Sequence, residues 1–416
     1  MLKKFILFIF LFTILFLSPA ITLASQKQVI HKAAFIRTND LWIKVGNREN
    51  KVTNNEYIRY PKWSPDGTWI AYLKVTKTEE TAVPNDGELW LFNCKINKHF
   101  KIKSGVNKNF QWASRDNKVS FLIRKDLYSL NLEPGIPFLA AKVADNIENF
   151  SWLPDDSGFL TSSKKSKQLH SDILLSKITL KTHKQVIKPI FTIPVHDNEF
   201  FISTSQFKWS YDQKWISFLL IPTASLSADA NTLCLLSQDG QVIRRAGEML
   251  NDEKWFKWAP SERSLGYVKG VGREANLNKQ TEIILVPSMS KMVFTPEGYV
   301  DRDISWKNNQ IIYIARAKED PHADFSKRPL PSIYKVNLSA GQQTQVTFPS
   351  EKEADFVPQS IGNKLLWIRT NKLTASIFVL EDKTERKWIK NITMASSYYD
   401  RWNWEEVFSI YTGGDL

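Results

Sequence analysis

The sequence predicts an all-β protein, and within that class a β-propeller of four-stranded antiparallel blades. One pattern occurs six times: an aromatic or apolar residue, a polar residue, a tryptophan, a short polar turn and an alternating apolar run. The tryptophans of the six copies are Trp63, Trp112, Trp152, Trp209, Trp258 and Trp306, at steps of 49, 40, 57, 49 and 48 residues. No long helical periodicity follows the N-terminal segment. A period of this size, with room for four short strands, is typical of a propeller blade.

The N-terminal segment, residues 1–24, has the layout of a secretory signal. Lys3 and Lys4 precede an apolar stretch over residues 5–17, Pro19 interrupts it, and small residues lead to Ala24. A basic end, an apolar core and a small-residue exit are the features that define such signals. We therefore predict export with cleavage after Ala24, and a single propeller domain over residues 25–416. The alternative is an uncleaved membrane anchor, because residues 5–24 are just long enough to cross a bilayer.

The two ends of the remaining chain are predicted to meet in one blade. Before the first copy, the segments AAFIR, LWIKV and NKVTN supply three strands but no inner strand. The C-terminal segment SSYYDRWNWEEVFSIYT has the aromatic alternation needed for the fourth. Pairing of the ends closes the ring and removes strand edges that promote aggregation. We predict eight blades. This number includes a degenerate copy of the repeat from residue 356, which has Pro358 in place of the tryptophan; seven blades are the alternative.

The first copy, PKWSPDGTWIAYLK from residue 61, illustrates one blade. Strands are predicted around residues 60–64, 69–75, 88–94 and 99–103, because these segments are rich in aromatic and β-branched residues and are bounded by turn residues. Asp66 and Gly67 are predicted to close a tight turn between the first two strands. Trp63 and Trp69 are predicted to pack between blades, where every blade has the same surface to bury.

This first copy resembles a known repeat family. The string Trp63-Ser64-Pro65-Asp66-Gly67, followed after two residues by Ile70-Ala71-Tyr72, is similar to the repeat of TolB-type propellers. A similar repeat occurs in the propeller domains of prolyl-oligopeptidase-like peptidases. Later copies keep the tryptophan and the apolar strand but lose Pro-Asp-Gly, as in Lys307-Asn308-Asn309. The resemblance implies a propeller that works through protein contacts, and it carries over no catalytic residue.

Motifs for catalysis are missing from the sequence. A peptidase of the resembling kind needs an added hydrolase domain with a Gly-x-Ser-x-Gly elbow, and no such elbow is present. No His-x-x-x-His spacing or phosphate-binding Gly-Lys loop occurs, so neither a metal nor a cofactor is predicted. His196-Asp197 and the pair His322 and Asp324 could be fragments of a ligand set or solvated loop residues. An enzyme is therefore the less favoured hypothesis.

Long insertions are predicted to lie at one end of the ring. In antiparallel blades, the loops between second and third strands lie at the same end as the links between blades. The insertions of this kind are residues 76–87, 163–171, 222–230, 269–280 and 316–331, with the link 188–204. Loops on a rigid scaffold commonly carry binding residues. The candidate binding residues in these loops are His196, Asp197, Arg273, Glu274, His322 and Asp324. Tolerated surface insertion is the alternative interpretation.

The residue before each repeat tryptophan is a candidate for the wall of the central channel. These positions are polar although their neighbours are mostly apolar, and they hold Lys62, Gln111, Ser151, Lys208, Lys257 and Ser305. Of these, Lys62, Gln111, Lys208 and Lys257 are the candidate channel-lining residues. They would make the wall cationic and attract anions. Hydrogen bonding between neighbouring blades is the alternative.

The net charge indicates which partners the protein binds, and the cysteine content indicates the role of its two thiols. The net charge of +13 favours an anionic partner, such as lipid headgroups or wall polymers, and allows association with a membrane surface. The basic residues are spread along the chain without a nucleic-acid-binding motif, so no nucleic acid is predicted. Cys94 and Cys234 lie within apolar strands and are predicted to be core residues. The sequence thus predicts an exported, non-catalytic module that binds a protein or an envelope component. An enzyme or a binder of peptide or sugar in the axial funnel is the alternative.

Overall fold

A computed structural model describes residues 31–76, 85–133, 138–168, 170–181, 184–196, 198–223, 225–322, 324 and 326–413. The predicted signal over residues 1–24 lies outside the described residues. Within the part of the chain that is described, no helix is long and apolar enough to cross a membrane.

The strands group by their antiparallel pairing into units with four strand positions, which we number in chain order; in unit 4 two short strands share the inner position. The strands of units 1 and 2 are β4 (Ile58–Trp63), β5 (Trp69–Lys74), β6 (Asp86–Asn93) and β7 (Lys98–Asn107), then β8 (Gln111–Trp112), β9 (Lys118–Ile123), β10 (Asp126–Asn131) and β11 (Ala141–Ala144). Those of units 3 and 4 are β12 (Asn149–Trp152), β13 (Gly158–Lys164), β14 (Ile173–Lys181) and β15 (Lys184–Ile193), then β16 (Phe201–Thr204), β17 (Lys208–Trp209), β18 (Trp215–Pro222), β19 (Asn231–Ser237) and β20 (Ile243–Met249). Unit 4 also carries the short helix α1 (Leu226–Asp229).

Units 5 to 7 continue the same order. Their strands are β21 (Phe256–Trp258), β22 (Ser264–Lys269), β23 (Gln280–Leu285) and β24 (Ser290–Val293), β25 (Tyr299–Asn308), β26 (Ile311–Lys318), β27 (Ser332–Asn337) and β28 (Gln343–Gln345), and β29 (Ala354–Ile361), β30 (Lys364–Thr370), β31 (Ala375–Glu381) and β32 (Thr384–Ile392). Unit 8 combines both chain ends: β35 (Phe408–Tyr411), β1 (Lys32–Arg37), β2 (Asp40–Val45) and β3 (Arg48–Lys51). A hairpin of β33 (Ser397–Tyr398) and β34 (Arg401–Trp402) lies outside the units.

Neighbouring units bury apolar side chains against each other around a ring. Between units 1 and 2 the buried residues include Leu73, Phe110 and Phe121, and a further cluster joins units 7, 8 and 1. The remaining successive pairs are joined in the same way. The predicted β-propeller class is therefore confirmed. The number of blades stays a prediction, because a pairing of Val106 with Ile123 joins units 1 and 2 into one eight-stranded sheet.

The predicted closure of the ring by the two chain ends is confirmed. β35 pairs antiparallel with β1, with Lys32 opposite Tyr411 and Phe35 opposite Phe408. The C-terminal segment contributes fewer residues to this strand than its aromatic alternation predicts. The buried Glu406 carboxylate accepts hydrogen bonds from Ser396 N (2.9 Å) and Asn403 Nδ2 (2.8 Å), which folds residues 396–406 into a compact link before the strand begins.

The fold has two distinct ends, set by strand direction. At the turn end lie the short loops between first and second strands, such as residues 64–68 and 210–214. At the insertion end lie the loops between second and third strands, such as residues 222–230, 269–280 and 316–331, together with the links between units. The predicted gathering of the insertions at one end thus follows from the observed pairing.

Candidate functional site

The repeat tryptophans connect the inner strands of neighbouring units. In five copies the indole N–H donates to a backbone carbonyl of the preceding unit. The pairs are Trp63 with Ser409 (3.3 Å), Trp112 with Lys62 (3.0 Å), Trp152 with Gln111 (3.3 Å), Trp258 with Lys208 (3.1 Å) and Trp306 with Lys257 (2.9 Å). Trp209 differs, because among the described residues its buried indole N–H has no hydrogen-bond partner.

The polar side chain before the tryptophan donates a hydrogen bond to the following unit, whereas the indole donates to the preceding one. Lys62 Nζ donates to the Phe110 carbonyl (2.7 Å), Gln111 Nε2 to Phe150 (2.8 Å), and Lys208 Nζ to Phe256 (3.0 Å). Phe150 and Phe256 lie on the inner strand of the next unit, and Phe110 lies directly before it. For Lys62, Gln111 and Lys208 the geometry is therefore that of hydrogen bonds between units, the alternative interpretation of this position.

The turn of the first copy is held by its own side chains. Asp66 Oδ1 accepts from Ser64 Oγ (2.7 Å) and Thr68 N (2.9 Å), and Gly67 N donates to the Ser64 carbonyl (2.9 Å). Gly67 has φ +64°, and a Cβ there would lie 2.7 Å from the Tyr411 ring. Asp66 and Gly67 thus lie in a turn packed against the closing strand.

Three cavities follow the ring axis and share lining residues. One of about 460 Å³ is lined by Lys62 and opens among the links of the insertion end, and one of about 280 Å³ is lined by Lys208 and Lys257. A third of about 930 Å³, lined by Lys62 and Gln111, lies towards the turn end. All four candidate channel-lining residues therefore face these cavities.

The cavity wall carries carboxyl groups that the sequence-based prediction of a cationic wall missed. Asp252 and Glu253 lie in or next to the 3₁₀ turn Glu253–Trp255, before the inner strand β21, and Glu405 lies in the turn Trp404–Glu406, before β35. Lys254 from the first of these turns also lines the wall. The wall is therefore of mixed charge. The sequence did contain a signal for these carboxyl groups, because both turns place charged residues shortly before an inner strand.

Burial shifts the pKa of these groups in opposite directions. Desolvation lowers the pKa of the Lys257 ammonium to about 8, assisted by the nearby charge of Lys208. Desolvation raises the pKa of the Glu253 carboxyl above its ordinary value. Burial also acts to raise the pKa of Glu405, but the ammonium groups around it, led by that of Lys254, bring this pKa below its usual range.

Ion pairs between units join the loops of the insertion end. Arg273 contacts both carboxylate oxygens of Asp229 (2.7 and 2.6 Å), which connects units 5 and 4. Arg328 of unit 6 contacts Glu274 of unit 5 (2.7 Å) and Asp400 of the C-terminal hairpin (3.1 Å). The structure thus brings the predicted residues Arg273 and Glu274 into one chain of charges.

Of the other predicted loop residues, His322 reaches this chain of charges through its backbone carbonyl, which accepts from Arg328 Nε (2.8 Å). The backbone N–H of His196 lies 3.4 Å from Glu199 Oε2, and Asp197 is outside the described residues. His322 contacts Asp320, and Asp324 accepts from Ser326 Oγ (2.7 Å) within its own loop. Over the described residues, no group of three or more His, Cys, Asp or Glu is arranged to hold a metal ion.

Comparison with solved structures identifies the same fold in peptidases. A puromycin-hydrolyzing peptidase from Mycobacterium tuberculosis is 10% identical, with a TM-score of 0.51 over 81% of this chain and 54% of the peptidase. A Bacteroides ovatus protein assigned as a dipeptidyl aminopeptidase IV is 12% identical, with a TM-score of 0.50 over 87% of this chain and 58% of the other. This chain therefore spans about half the length of these proteins.

The solved neighbours also include TolB from Acinetobacter baumannii, which is 13% identical over 76% of this chain and 62% of TolB, with a TM-score of 0.35. That score is too low to support an argument, so the likeness of fold rests on the two peptidases. No protein-family model matches the chain, and no curated protein matches it. The likeness to the two peptidases is thus seen in the fold, and at these identities it concerns the fold alone.

Proposed function

We propose that this protein is a non-catalytic binding module that docks a protein partner with its insertion end. The observation that carries the proposal is the chain of ion pairs from Asp229 through Arg273, and from Glu274 through Arg328 to Asp400. These contacts join loops of three units and the C-terminal hairpin into one preformed surface. Preformed loops bind at a lower entropic cost than loops that must be ordered by the partner.

Exposed apolar side chains on the same end support a protein as the partner. Large apolar residues exposed on the insertion loops and links are Phe200, Leu226, Val271, Phe348, Leu373 and Tyr398. Apolar and aromatic anchors supply most of the binding energy of protein interfaces. The net charge of +13 favours an acidic partner surface. The proposal includes export through residues 1–24, which would place the partner in the cell envelope or outside the cell.

The proposal is tested by capture of partners from envelope extract with matched surface variants. The variant Leu226→Ser with Val271→Ser alters two neighbouring insertion loops, which are joined by a hydrogen bond from Gly272 N to the Asp229 carbonyl (2.8 Å). The control, Leu139→Ser with Tyr211→Ser, removes exposed apolar residues at the turn end. We expect a protein captured by wild type and control at equal yield, and lost with the insertion-end variant. Loss with the control variant alone, or no protein specific to the wild type, would contradict the proposal.

A further inference from the structure

The cavity of about 280 Å³ on the ring axis is lined by two kinds of side chain. The charged ones carry the ammonium groups of Lys208, Lys254 and Lys257 and the carboxyl groups of Glu253 and Glu405. The apolar ones are those of Val357, Ile368, Trp404 and Phe408. A few polar groups among apolar side chains are the usual lining of a small-molecule site.

The three ammonium groups that line the cavity are not equivalent. Lys208 Nζ donates to the backbone carbonyls of Glu253 and Phe256, so its hydrogen-bonding capacity is largely used. Lys254, in the 3₁₀ turn, and Lys257, on β21, both line the cavity, and across the described residues neither ammonium donates a hydrogen bond or joins an ion pair. A partly buried ammonium group without a partner is costly, and a bound anion would remove that cost.

Glu405 is the nearby anion, yet it does not satisfy these lysines. Its side chain lines the channel and, over the residues described, accepts no hydrogen bond and forms no ion pair. It lies in the C-terminal link between Trp404, which also lines the cavity, and the buried Glu406. Glu405 therefore contributes a diffuse negative field rather than a direct counter-ion.

We propose that this cavity binds a small monocarboxylate with an apolar tail. The carboxylate lies between Lys254 and Lys257, and the tail packs against Trp404 and Phe408. Three ammonium groups and two carboxyl groups line the cavity, and the carboxyl groups of Asp252 and Asp303 also act on Lys254, so a ligand with more than one negative charge is disfavoured. Burial also favours the neutral form of Glu253, whose carboxyl accepts a hydrogen bond from Gln206 N (3.0 Å). The proposal is independent of the docking function, since it concerns the channel and not the outer loops.

Calorimetric titration of the protein with three probes of one six-carbon skeleton tests the ligand class. Hexanoate carries a carboxylate, norleucine carries both charges and hexylamine carries an ammonium group. We expect hexanoate to bind, and norleucine and hexylamine to bind at least roughly tenfold more weakly, because an ammonium head faces two like charges. Failure of hexanoate to bind, or tighter binding of norleucine, would overturn the proposal.

Charge-removing variants locate the site. Lys254→Gln and Lys257→Gln should each weaken hexanoate binding by roughly tenfold or more, since each removes a charge-assisted hydrogen bond. Lys352→Gln, the same change at an exposed position of the link between units 6 and 7, should leave it unchanged. Equal affinity of all three variants would overturn the proposal.

Glu405→Gln gives a change of opposite sign, which a folding defect would not produce. Removal of the like charge beside the bound carboxylate should tighten hexanoate binding several-fold. Weaker binding would show that Glu405 is a direct contact for a positive head and would overturn the monocarboxylate assignment.

Affinity should also depend on pH through Lys257. The charged groups that face it are Lys208, Asp303, Lys254 and Glu405, and its own pKa is about 8. Because the carboxylate prefers the protonated amine, hexanoate affinity should fall as pH rises above 8 in wild type and stay flat in Lys257→Gln. A flat wild-type profile between pH 7 and about 9 would contradict this assignment.

Discussion

The turn end of the ring repeats one local bonding pattern in units 1 and 4, whereas the loops of the insertion end are joined by ion pairs that differ from unit to unit. In unit 1, Ser64 Oγ donates to Asp66 (2.7 Å) and accepts from Trp69 N (3.0 Å). In unit 4, Ser210 Oγ makes the same bonds to Asp212 (2.7 Å) and from Trp215 N (3.0 Å). At the insertion end, Arg328 instead joins residues 54 and 72 positions away in the chain. Repeated local bonds maintain the scaffold, and unique long-range bonds create a surface that differs from unit to unit.

The largest predicted effect compares an ion pair from each end. Arg316, where the insertion 316–331 begins, contacts Asp301 at 2.5 and 2.8 Å with both side chains buried. Arg316→Leu should lower the free energy of unfolding by about 3–5 kcal/mol, because Asp301 keeps a buried charge without its partner. At the turn end, Arg263 contacts Asp212 of the neighbouring unit with both side chains partly exposed, and Arg263→Leu should cost less than about 1 kcal/mol. Urea unfolding of both variants measures the difference, and equal costs would remove this distinction between the ends.

A smaller effect is expected from glycine substitution at the turn end. Gly67→Ala should destabilise by about 1–3 kcal/mol, because the residue has positive φ and its Cβ would meet the Tyr411 ring. Gly362→Ala is the matched control, since φ is +57° there and nothing lies within 4 Å of the added carbon. Thermal unfolding should show a larger loss for Gly67→Ala. Equal losses would indicate that the contact with the closing strand adds nothing to the backbone cost.

The smallest predicted effect is a pH dependence of the first turn. Burial acts to raise the pKa of Asp66, but hydrogen bonds from Thr68 and other donors bring this pKa below its ordinary value. A lowered pKa in the folded state adds stability above the unfolded-state pKa of about 3.9, and this stability is lost as pH falls through the folded-state value. Unfolding of wild type and Asp66→Asn should therefore differ at neutral pH and converge in acid. A constant difference would contradict a role for the ionised carboxylate.

The sequence predicted those features that are encoded locally and then repeated. Trp63 and its equivalents occur at the period of one unit, because each unit buries the same surface, and this is visible without a structure. The closure by β35 was predicted from the three N-terminal strands that lacked an inner partner. The exact extent of β35 was not predicted, since the burial of Glu406 against Ser396 and Asn403 depends on tertiary packing.

The axial site was predicted only in part. The positions of Lys62 and Lys208 before the repeat tryptophans drew attention to the channel, but their bonds to carbonyls of the next unit depend on the spacing between units. Lys254 and Glu405 come from links of different units, and they meet only because the ring brings residue 405 beside residue 254. No local sequence pattern indicates that these two residues are close in space. The role of the predicted loop residues stays a prediction until a partner is identified.

Site-specific photo-cross-linking in cells that express the full chain tests the central claim most directly. A photoreactive residue is placed at Leu226 or Val271 on the insertion end, and at Leu139 or Tyr211 on the turn end; all four side chains are exposed. We expect a discrete protein adduct from the two insertion-end positions and none from the two turn-end positions. Adducts from the turn end alone, or no adduct from Leu226 and Val271, would contradict it.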